Sequence, residues 1–385
     1  MIRKRIALLG STGSIGINTL EVISRYPERF EVVLLSAFNN VELLKQQIRQ
    51  FSPAKVALAA EHIPALKSVF GSKTAFFAVE KDISFLVAEK LVDIVVIAMS
   101  GSAALEPFLS AVRAGKVVAP ANKEALVIAG DILMNAARQS GARVIPVDSE
   151  QSAIFQCIEG HRRVDLRCVH LTASGGALLR VPVSRHRKLS VKQVLKHPRW
   201  KMGAKITVDS ATLLNKGFEV IEAQRLFALD IDQIKVVIHP QALVHSLVEY
   251  IDGSMIAQLG VPDMRIPIQY ALTYPERLDS GFPGLDLARL KTLSFEPPDM
   301  AKFPALALAF TVARLGGTYP AVLNAADEVA VEAFLAGRLS FTGIYEVVER
   351  TVRAHRLAGS LSLKSIKEAD AWARAAALGF LRKVK

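Results

Sequence analysis

Two carboxylates flank a hydroxyl at Asp148-Ser149-Glu150, directly after the apolar run 142–147. Open α/β sheets bind their ligands at the carboxyl ends of strands, so this position is typical of a ligand site. Residues i and i+2 at a strand end can also turn two oxygen donors toward one hard cation such as Mg²⁺. The alternative is a helix start, with Asp148 as the N-cap and Gln151 as its capping-box partner. Taken alone, the tripeptide favours the helix start, because nearly every helix has a cap.

A second group of polar residues falls within a predicted long helix, from about residue 210 to residue 229. Asn215 lies four positions before Glu219 and Lys216 lies three before it, so all three can share one helix face. An amide, an ammonium and a carboxylate there could hold a phosphate or hydroxyl group and a metal ion. The alternative is an exposed ion pair. Gly217 argues against it, because glycine destabilises a helix and offers no obvious local gain here.

Two further segments have the composition of substrate-binding loops. Residues 174–176, Ser-Gly-Gly, could present a hydroxyl and backbone amides to an anion, and are otherwise an ordinary turn. Residues 196–203 combine His197 and Trp200 with basic groups, and the Pro and Gly in this stretch are typical of a mobile lid. A lone histidine is more often structural, so His197 is a candidate only because of this setting.

A glycine-rich turn at residues 10–16 joins the first predicted strand to the first predicted helix. The spacing of Gly10, Gly13 and Gly16 allows a tight turn, close approach of the backbone to a pyrophosphate and close helix–sheet packing. The helix N-terminus then supplies free N–H groups to the phosphates. The spacing departs from the G-x-G-x-x-G of dinucleotide sites, and a turn without a ligand is the alternative.

The choice of dinucleotide depends on the residues after the second predicted strand, 36–40. An NAD site has an Asp or Glu there that binds the ribose 2′-OH. This segment reads Ser-Ala-Phe-Asn-Asn and has no acid. NADP is therefore favoured, although no Arg or Lys is present in the segment to bind a 2′-phosphate.

Length and charge limit the class of protein. A chain of 385 residues that is 51% hydrophobic and 22% charged predicts two or three globular domains. The formal net charge of +12 comes from basic residues that are spread out and carry no interleaved aromatic residues, so nucleic-acid binding is not expected. The excess positive charge instead favours anionic small substrates such as phosphates.

The cysteines and the first residues bear on the location in the cell. Cys157 and Cys168 cannot make a disulfide framework and have no zinc-site spacing, which is typical of a reducing cytosol. A strand is predicted within a few residues of Met1, which leaves no space for a signal or transit peptide, and no apolar run reaches membrane-spanning length. We therefore expect a cytoplasmic protein without a membrane partner.

The pattern along the chain predicts an α/β protein with four regions. Residues 1–147 alternate apolar strands and helices, which indicates a doubly wound parallel (Rossmann-type) sheet that contains the candidate dinucleotide-binding turn. Residues 148–280 indicate an α+β middle domain, which contains candidate catalytic residues and a hairpin turn at Asp252-Gly253. The proline-containing residues 281–304 indicate a linker, and residues 305–385 a C-terminal helical bundle.

Seven motifs occur in a fixed order: 10–16 (GSTGSIG), 121–124 (ANKE), 146–150 (PVDSE), 174–176 (SGG), 197–203 (HPRWKMG), 215–219 (NKGFE) and 260–265 (GVPDMR). With these motifs the chain resembles the 1-deoxy-D-xylulose 5-phosphate reductoisomerase family, whose product is 2-C-methyl-D-erythritol 4-phosphate in the non-mevalonate (MEP) isoprenoid pathway. The resemblance spans essentially the whole chain, including Leu-Asn-Ala-Ala at 323–326 in the helical tail. An ordered set of motifs is far more specific than the glycine-rich turn alone.

The resemblance implies a role for each candidate residue. The ligands of Mg²⁺ or Mn²⁺ would be Asp148, Glu150 and Glu219. The substrate would be bound by Ser149, Ser174, His197, Trp200, Ser210, Asn215 and Lys216, with Lys123 as a further catalytic residue. NADPH would be bound by Gly10, Thr12, Gly13, Ser14, Ile15, Asn40, Asn122, Glu124 and Gly203. Since Asp148 could cap a helix and still ligate an ion, we interpret Asp148-Ser149-Glu150 as part of a metal site.

The family reaction fits these residue types. In a retro-aldol/aldol route the C3–C4 bond of the substrate breaks, the fragments rejoin as a branched aldehyde, and hydride from NADPH reduces it. Carboxylate oxygens suit a hard cation that acts as a Lewis acid, and a lid would exclude water. One alternative is another NAD(P)-dependent sugar-phosphate dehydrogenase without isomerase activity, which would not need the metal. Another is a nucleotide-sensing regulator, which would have lost one of the three acids.

Two positions depart from the family pattern. Phe38 and Asn39 stand where the family commonly has a glycine and a basic residue, which leaves the strength of the preference for NADPH over NADH open. Asp327 replaces a common asparagine and is interpreted as structural. The resemblance also implies a homodimer, which we expect to form through the hairpin strands around Asp252-Gly253.

Overall fold

The computed structural model describes residues 3–196, 200, 202–357 and 360–383. Their contacts divide the chain into two compact units. Unit 1 comprises Met1–Ala125, Leu133–Ser152 and Asp263–Phe282, and unit 2 comprises Leu126–Ile132, Ala153–Pro262 and Pro283–Lys385. The predicted boundaries at residues 147, 280 and 304 stay a prediction, because contacts alone do not establish which segments fold independently.

The strands follow the predicted alternation in the first part of the chain. They are β1 Lys4–Leu9, β2 Phe30–Ser36, β3 Lys55–Leu58, β4 Ala75–Ala78, β5 Ile94–Ile97, β6 Val117–Pro120, β7 Arg143–Val144, β8 Leu166–Ala173, β9 Ile234–Ile238, β10 Val244–Tyr250 and β11 Met255–Leu259.

The α-helices are α1 Ser14–Arg25, α2 Val41–Phe51, α3 Ile63–Phe70, α4 Val79–Leu86, α5 Leu105–Arg113, α6 Glu124–Ser140, α7 Ser149–Ile158, α8 Val191–Val194, α9 Ala204–Thr212, α10 Leu214–Phe227, α11 Arg265–Thr273, α12 Leu287–Leu290, α13 Pro304–Leu315, α14 Tyr319–Leu335, α15 Phe341–Ala354 and α16 Leu363–Leu381. None of these helices, as far as the chain is described, is both long enough and apolar enough to cross a membrane.

Unit 1 is built on a seven-stranded parallel sheet in the order β4-β3-β2-β1-β5-β6-β7. Its central strands are buried on both faces, since Ile6–Leu9 are wholly inaccessible to solvent and β5 nearly so. The strand order reverses between β1 and β5, which pair with each other. Parallel sheets of this kind bind ligands in the crevice at such a reversal. The predicted Rossmann-type sheet is confirmed.

The last strand of this sheet is shorter than the sequence pattern predicts. A strand over 144–147 is expected, but β7 ends at Val144. Ile145 and Val147 still donate hydrogen bonds to the carbonyls of Val118 (2.9 Å) and Pro120 (3.1 Å) in β6. Pro120 has no N–H to donate in return, so the ladder becomes one-sided there. The cause is a residue of the neighbouring strand β6, so the sequence pattern of 144–147 does not reveal it.

Unit 2 contains a four-stranded sheet in the order β11-β10-β8-β9. The predicted hairpin is confirmed, because β10 and β11 pair antiparallel and Gly253 adopts φ 85° in the turn between them. One face of the sheet is buried against α7 and α10. That core includes Val169, Leu171, Val248, Val220, Ala223 and Phe227.

The predicted long helix from about residue 210 to 229 is wrong in one respect. It is broken at Leu213, which separates α9 from α10 and has a left-handed φ of 59°. Leu213 is buried, and the hydroxyl of Thr212 accepts a hydrogen bond from Leu214 N (3.2 Å). Burial and this local bond offset the cost of the left-handed backbone, which the apolar periodicity does not reveal.

The last part of the chain consists mainly of helices. Residues 281–304 are mostly irregular, but they include the short helix α12 and a bridge between Glu296 and Ile238 of β9. The helical structure that the sequence predicts after residue 304 comprises α13 to α16. Gly217 of α10 packs directly on the methyl group of Ala309 in α13. This close contact explains why a glycine stands inside the helix, and the sequence alone does not reveal it.

Candidate active site

The glycine-rich turn lies at the strand reversal of the unit 1 sheet. Gly10 has φ 81°, and a side chain there would place its Cβ 2.6 Å from the carbonyl oxygen of Ala98, so only glycine fits. The N–H groups of Gly10 (3.1 Å) and Ser11 (2.8 Å) donate to the carbonyl oxygen of Ser36. The turn is thereby fixed to the end of β2.

A buried side-chain pair holds the turn from the other side. The Ser11 hydroxyl donates to Gln47 Oε1 (2.7 Å), and Gln47 Nε2 donates to the Ser11 carbonyl (2.8 Å). Gln47 belongs to α2 and was not a candidate from sequence; a polar residue at a buried position of an amphipathic helix was the available signal. Gly13 is the N-cap of α1 and has no side chain that could accept from the first N–H groups of this helix.

The other predicted cofactor residues of unit 1 have structural partners. Asn122 is buried, and its Nδ2 donates to the carbonyl of Met99 (2.8 Å) while its Oδ1 accepts from Ala125 N (3.0 Å). Asn122 therefore ties the loop after β5 to the start of α6. Asn40 caps α2 by accepting from Leu43 N (3.3 Å). These ties shape the edge of the sheet where the glycine-rich turn lies.

Asp148 uses its two oxygens in different ways. Its Oδ1 accepts hydrogen bonds from the N–H groups of Glu150 (3.1 Å) and Gln151 (3.4 Å), so it caps α7 as predicted. Its Oδ2 lies 2.8 Å from Nζ of Lys123, which is buried. The Ser149 hydroxyl donates to the carboxylate of Glu150. Four predicted site residues thus lie together in unit 1, at the ends of β6 and β7.

Unit 2 contains the second predicted group. Asn215 Nδ2 donates to Glu219 Oε1 (2.6 Å), and Lys216 Nζ pairs with Glu219 Oε2. The Lys216 and Glu219 side chains are almost fully buried, at 5% and 2% exposed. The predicted clustering on one face of a helix is confirmed. A buried carboxylate is costly without a partner, and Lys216 supplies a positive charge to Glu219.

The Ser-Gly-Gly turn packs against the start of the same region. Gly176 has φ 65°, and a Cβ there would lie 2.9 Å from the carbonyl carbon of Ser210. The Ser174 hydroxyl accepts from Gly176 N (3.3 Å). Ser174 and Ser210, which are 36 positions apart in the sequence, are therefore brought close together in unit 2. Only glycine allows this approach.

The predicted lid is described in part. His197 lies outside the described residues. Trp200 is half-buried, and its ring centroid is 6.5 Å from that of His245. Gly203 is the N-cap of α9, where its carbonyl accepts from Thr207 N (3.1 Å) and Thr207 Oγ1 (2.8 Å). Glu124, the first residue of α6, is half-buried.

Another group of metal-type ligands lies on β8 and β10 and was not a candidate from sequence. Cys168 Sγ is 3.5 Å from His170 Nε2 and 3.3 Å from Glu249 Oε2. Arg167 Nη1 is 3.0 Å from the other oxygen of Glu249. Hydrogen bonds from Cys168, Arg167 and His170 lower the pKa of Glu249 to about 2, and burial raises the pKa of Cys168. A protonated thiol beside a paired carboxylate favours a hydrogen-bonded network over a metal site.

Comparison with known proteins covers nearly the whole chain. Models of the 1-deoxy-D-xylulose 5-phosphate reductoisomerase family match residues 6–130, and models of its C-terminal domains match residues 144–227 and 259–376. The reductoisomerase of Pelotomaculum thermopropionicum is 52% identical over 374 residues, which are 96% of this chain and 97% of that protein. That of Pelodictyon phaeoclathratiforme is 48% identical over 380 residues, 98% of this chain and all of the relative.

Solved structures agree with this match. A crystal structure of DOX-P reductoisomerase in complex with NADPH, fosmidomycin and magnesium is 40% identical, covers 98% of both chains and has a TM-score of 0.93. The enzyme of Zymomonas mobilis in complex with NADPH is 37% identical, covers both chains fully and has a TM-score of 0.94. This chain therefore belongs to the 1-deoxy-D-xylulose 5-phosphate reductoisomerase family.

Proposed function

We propose that this chain converts 1-deoxy-D-xylulose 5-phosphate to 2-C-methyl-D-erythritol 4-phosphate, with NADPH as the reductant and Mg²⁺ or Mn²⁺ as a cofactor. The observation that carries the proposal is that all three acids are present and that each forms an ion pair or a hydrogen bond with a neighbouring side chain. Asp148 is paired with Lys123, Glu150 with Ser149, and Glu219 with Lys216. Relatives of about half-identical sequence bear the name of this activity over the full chain length.

We propose Asp148, Glu150 and Glu219 as the metal ligands. Each offers carboxylate oxygen, and an all-oxygen donor set fits a hard cation rather than zinc or copper. When bound, the ion would supply Lewis-acid stabilisation to the oxygens of the substrate. The contribution of the chain is to place an ammonium beside two of these acids: the Lys123 ammonium lies 2.8 Å from Asp148, and the Lys216 ammonium pairs with Glu219.

Lys123 and Ser149 are proposed to contact the reacting end of the substrate. Lys123 is buried, and its ammonium lies 2.8 Å from the Asp148 carboxylate. Ser149 precedes Glu150 in the first turn of α7, and its hydroxyl is an oriented donor. A fixed ammonium and a fixed hydroxyl can hold a carbonyl and a hydroxyl group in one orientation, which lowers the entropic part of the barrier.

The phosphate of the substrate is proposed to bind to Ser174, Ser210, Asn215, Lys216 and His197, and Trp200 and Met202 to close over the substrate. Lys216 supplies the positive charge, and the Gly176 contact with Ser210 brings two hydroxyl-bearing residues together. NADPH is proposed to bind at Gly10, Thr12, Gly13, Ser14 and Ile15, with the α1 N-terminus toward its pyrophosphate. Asn40, Asn122, Glu124 and Gly203 are proposed to line the rest of that site.

One assay tests the proposal directly. The oxidation of NADPH is followed with 1-deoxy-D-xylulose 5-phosphate, with and without Mg²⁺, and the product is identified by NMR. We expect turnover only with the metal, and a branched-chain polyol phosphate as product. Turnover that survives chelation, or an unbranched product, would contradict the proposal and indicate a dehydrogenase without isomerase activity. The same assay with NADH in place of NADPH measures how strongly this chain, with Phe38 and Asn39 after β2, prefers NADPH.

We also propose a homodimer that forms through the second sheet. On β11, Met255 is 49% exposed and Leu259 36% exposed, and both lie on the edge strand that follows the Asp252-Gly253 turn. Exposed apolar residues on an unpaired edge favour association. Light scattering is expected to give twice the chain mass, and Met255→Lys with Leu259→Lys is expected to give a monomer. A monomeric parent protein would contradict this proposal.

A cytoplasmic location is proposed as well. Cys157 and Cys168 are both free thiols buried in unit 2, and a reducing compartment keeps such thiols unpaired. Cell fractionation followed by immunodetection tests this, and recovery of the protein with the membrane or an exported fraction would contradict it.

A further inference from the structure

Two aspartates share one ammonium between helices α9 and α14 of unit 2. Lys205 Nζ lies 2.6 Å from Asp209 Oδ2 and 2.6 Å from Asp327 Oδ2. The Asp209 and Asp327 side chains are 4% and 0% exposed, and the ring of Phe218 lies 5.3 Å from the same ammonium. This group, which we name the Lys205 cluster, links residues that are 122 positions apart in the sequence.

The Lys205 cluster has one carboxylate more than it has cations. Burying a carboxylate is costly, and a nearby ammonium lowers that cost. Oδ1 of Asp327 is buried and has no hydrogen-bond partner among the described residues. Asp327 therefore depends on its other oxygen, Oδ2, for its contact with Lys205.

The charged groups that act on Asp327 come from α9 and from its own helix. They are Lys205 and Asp209 of α9 and the neighbouring Glu328. Glu328 is paired with Arg374 of α16. Burial raises the pKa of Asp327, and Lys205 acts against this rise.

The Lys205 cluster bears on the site because it adds an ionic tie to α14 to a helix that is otherwise held by packing, with Val208 and Ala211 fully buried. The helix has nine residues, and its N-cap Gly203 offers no side-chain cap. Its last turn contains Ser210, directly after Asp209, and α14 is buried along most of its length. We propose that Asp327 is a positioning residue: through Lys205 it fixes α9 against α14, and so holds Ser210 where it can bind the phosphate of the substrate. This inference rests on the proposed function, which assigns Ser210 to that phosphate.

Three variants test the proposal. Asp327→Ala removes the tie to Lys205. Asp327→Asn keeps an acceptor for Lys205 and removes only the acid. Glu328→Gln is the matched control, because it breaks the ion pair of the next residue in α14 with Arg374 of α16 and leaves the contact with Lys205 in place. We expect Asp327→Ala to raise KM for the sugar phosphate about tenfold with kcat nearly unchanged, the pattern of lost ground-state binding. The Asn variant and the control are expected to keep KM within about twofold.

A measurement without substrate separates this inference from the proposed function. Hydrogen exchange of residues 204–212 is expected to become faster in Asp327→Ala and to stay unchanged in Glu328→Gln. NADPH affinity is expected to be equal in all variants. Unchanged KM and unchanged exchange in Asp327→Ala would overturn the inference, as would equal damage by the Ala and Asn variants. If the parent protein does not turn over the substrate, the proposed function fails while the exchange result still decides the role of Asp327.

Asp327→Ala could leave a chain that does not fold, which circular dichroism would detect. Lys205→Gln is then the second variant, since it removes the tie from the side of α9. It is expected to give the same faster exchange of 204–212, and unchanged exchange there would overturn the inference.

Discussion

Helices α9 and α10 follow each other at Leu213, yet they are held in different ways. The first, α9, is tied to α14 by the Lys205 cluster, in which one cation serves two acids. The second, α10, packs closely on α13 at Gly217 and contains a balanced pair, Lys216 with Glu219. Lys216 and Glu219 lie three positions apart on one helix, whereas Lys205 contacts an acid of its own helix and an acid of α14. The two lysines therefore differ in what they join: Lys216 pairs within one helix, and Lys205 links two.

The largest effect is expected from replacing Glu219, the acid that is paired with Lys216 in α10. Glu219→Gln should lower kcat/KM at least about a hundredfold, because even the outer partners of metal ligands cost ten to a hundredfold when lost. Metal affinity should fall in parallel, while NADPH binding, measured by fluorescence titration, should stay intact. Turnover equal to that of the parent protein would refute the metal role of Glu219.

The next largest effect is expected from replacing the lysines, and it should differ between α9 and α10. Lys205→Gln removes the ammonium that contacts both Asp209 and Asp327 and should lower the free energy of unfolding by about 3–5 kcal/mol. Lys216→Gln removes the ammonium beside Glu219, a proposed metal ligand, and we expect added Mg²⁺ to restore part of its stability, because the ion can replace the lost charge. Thermal unfolding of both variants with and without Mg²⁺ measures this. If Mg²⁺ restored the stability of both variants equally, the proposed difference between Lys205 and Lys216 would be wrong.

A packing change should affect α10 and leave α9 in place. Gly217→Ala places a methyl group against Ala309 and should cost about 1–3 kcal/mol of stability, the usual range for an overfilled core. Urea unfolding gives the value. Gly203→Ala is the control, since a Cβ at Gly203 meets no atom within 4 Å. A loss no larger than that of the control would show that α10 tolerates a greater distance from α13.

The smallest effect is a difference in pH dependence. The pKa of Asp327 is raised in the folded protein above its usual value near 3.9, so the folded state binds more protons than the unfolded state above about pH 4. Stability should therefore fall as the pH rises toward the raised pKa. Asp327→Asn lacks this acid and should become the more stable protein as the pH increases. Melting temperatures measured from pH 4.5 to 8 test this, and parallel curves would contradict it.

Features set by near neighbours in the sequence could be predicted. The clustering of Asn215, Lys216 and Glu219 follows from helical spacing, and the cap at Asp148 follows from its place before a helix. The glycine-rich turn follows from the spacing of its glycines, since a Cβ at Gly10 or Gly16 would lie within 2.6 Å of backbone atoms. The parallel sheet follows from apolar strands joined by helices. Each of these depends on a few consecutive residues and on backbone sterics.

Features set by distant residues could not be predicted. The strand β7 ends early because Pro120 on the next strand has no N–H, and the break at Leu213 depends on burial. The bond between Gln47 and Ser11 needs α2 placed on the turn.

By itself, the sequence determined the fold class, the family and the candidate acids, because motifs and periodicity are local. Only the tertiary structure decided how charges are shared. Lys205 and Asp327 are 122 positions apart, so no spacing rule connects them. The energy of a buried charge depends on which groups the fold places within a few ångströms of it, and that distance is a property of packing.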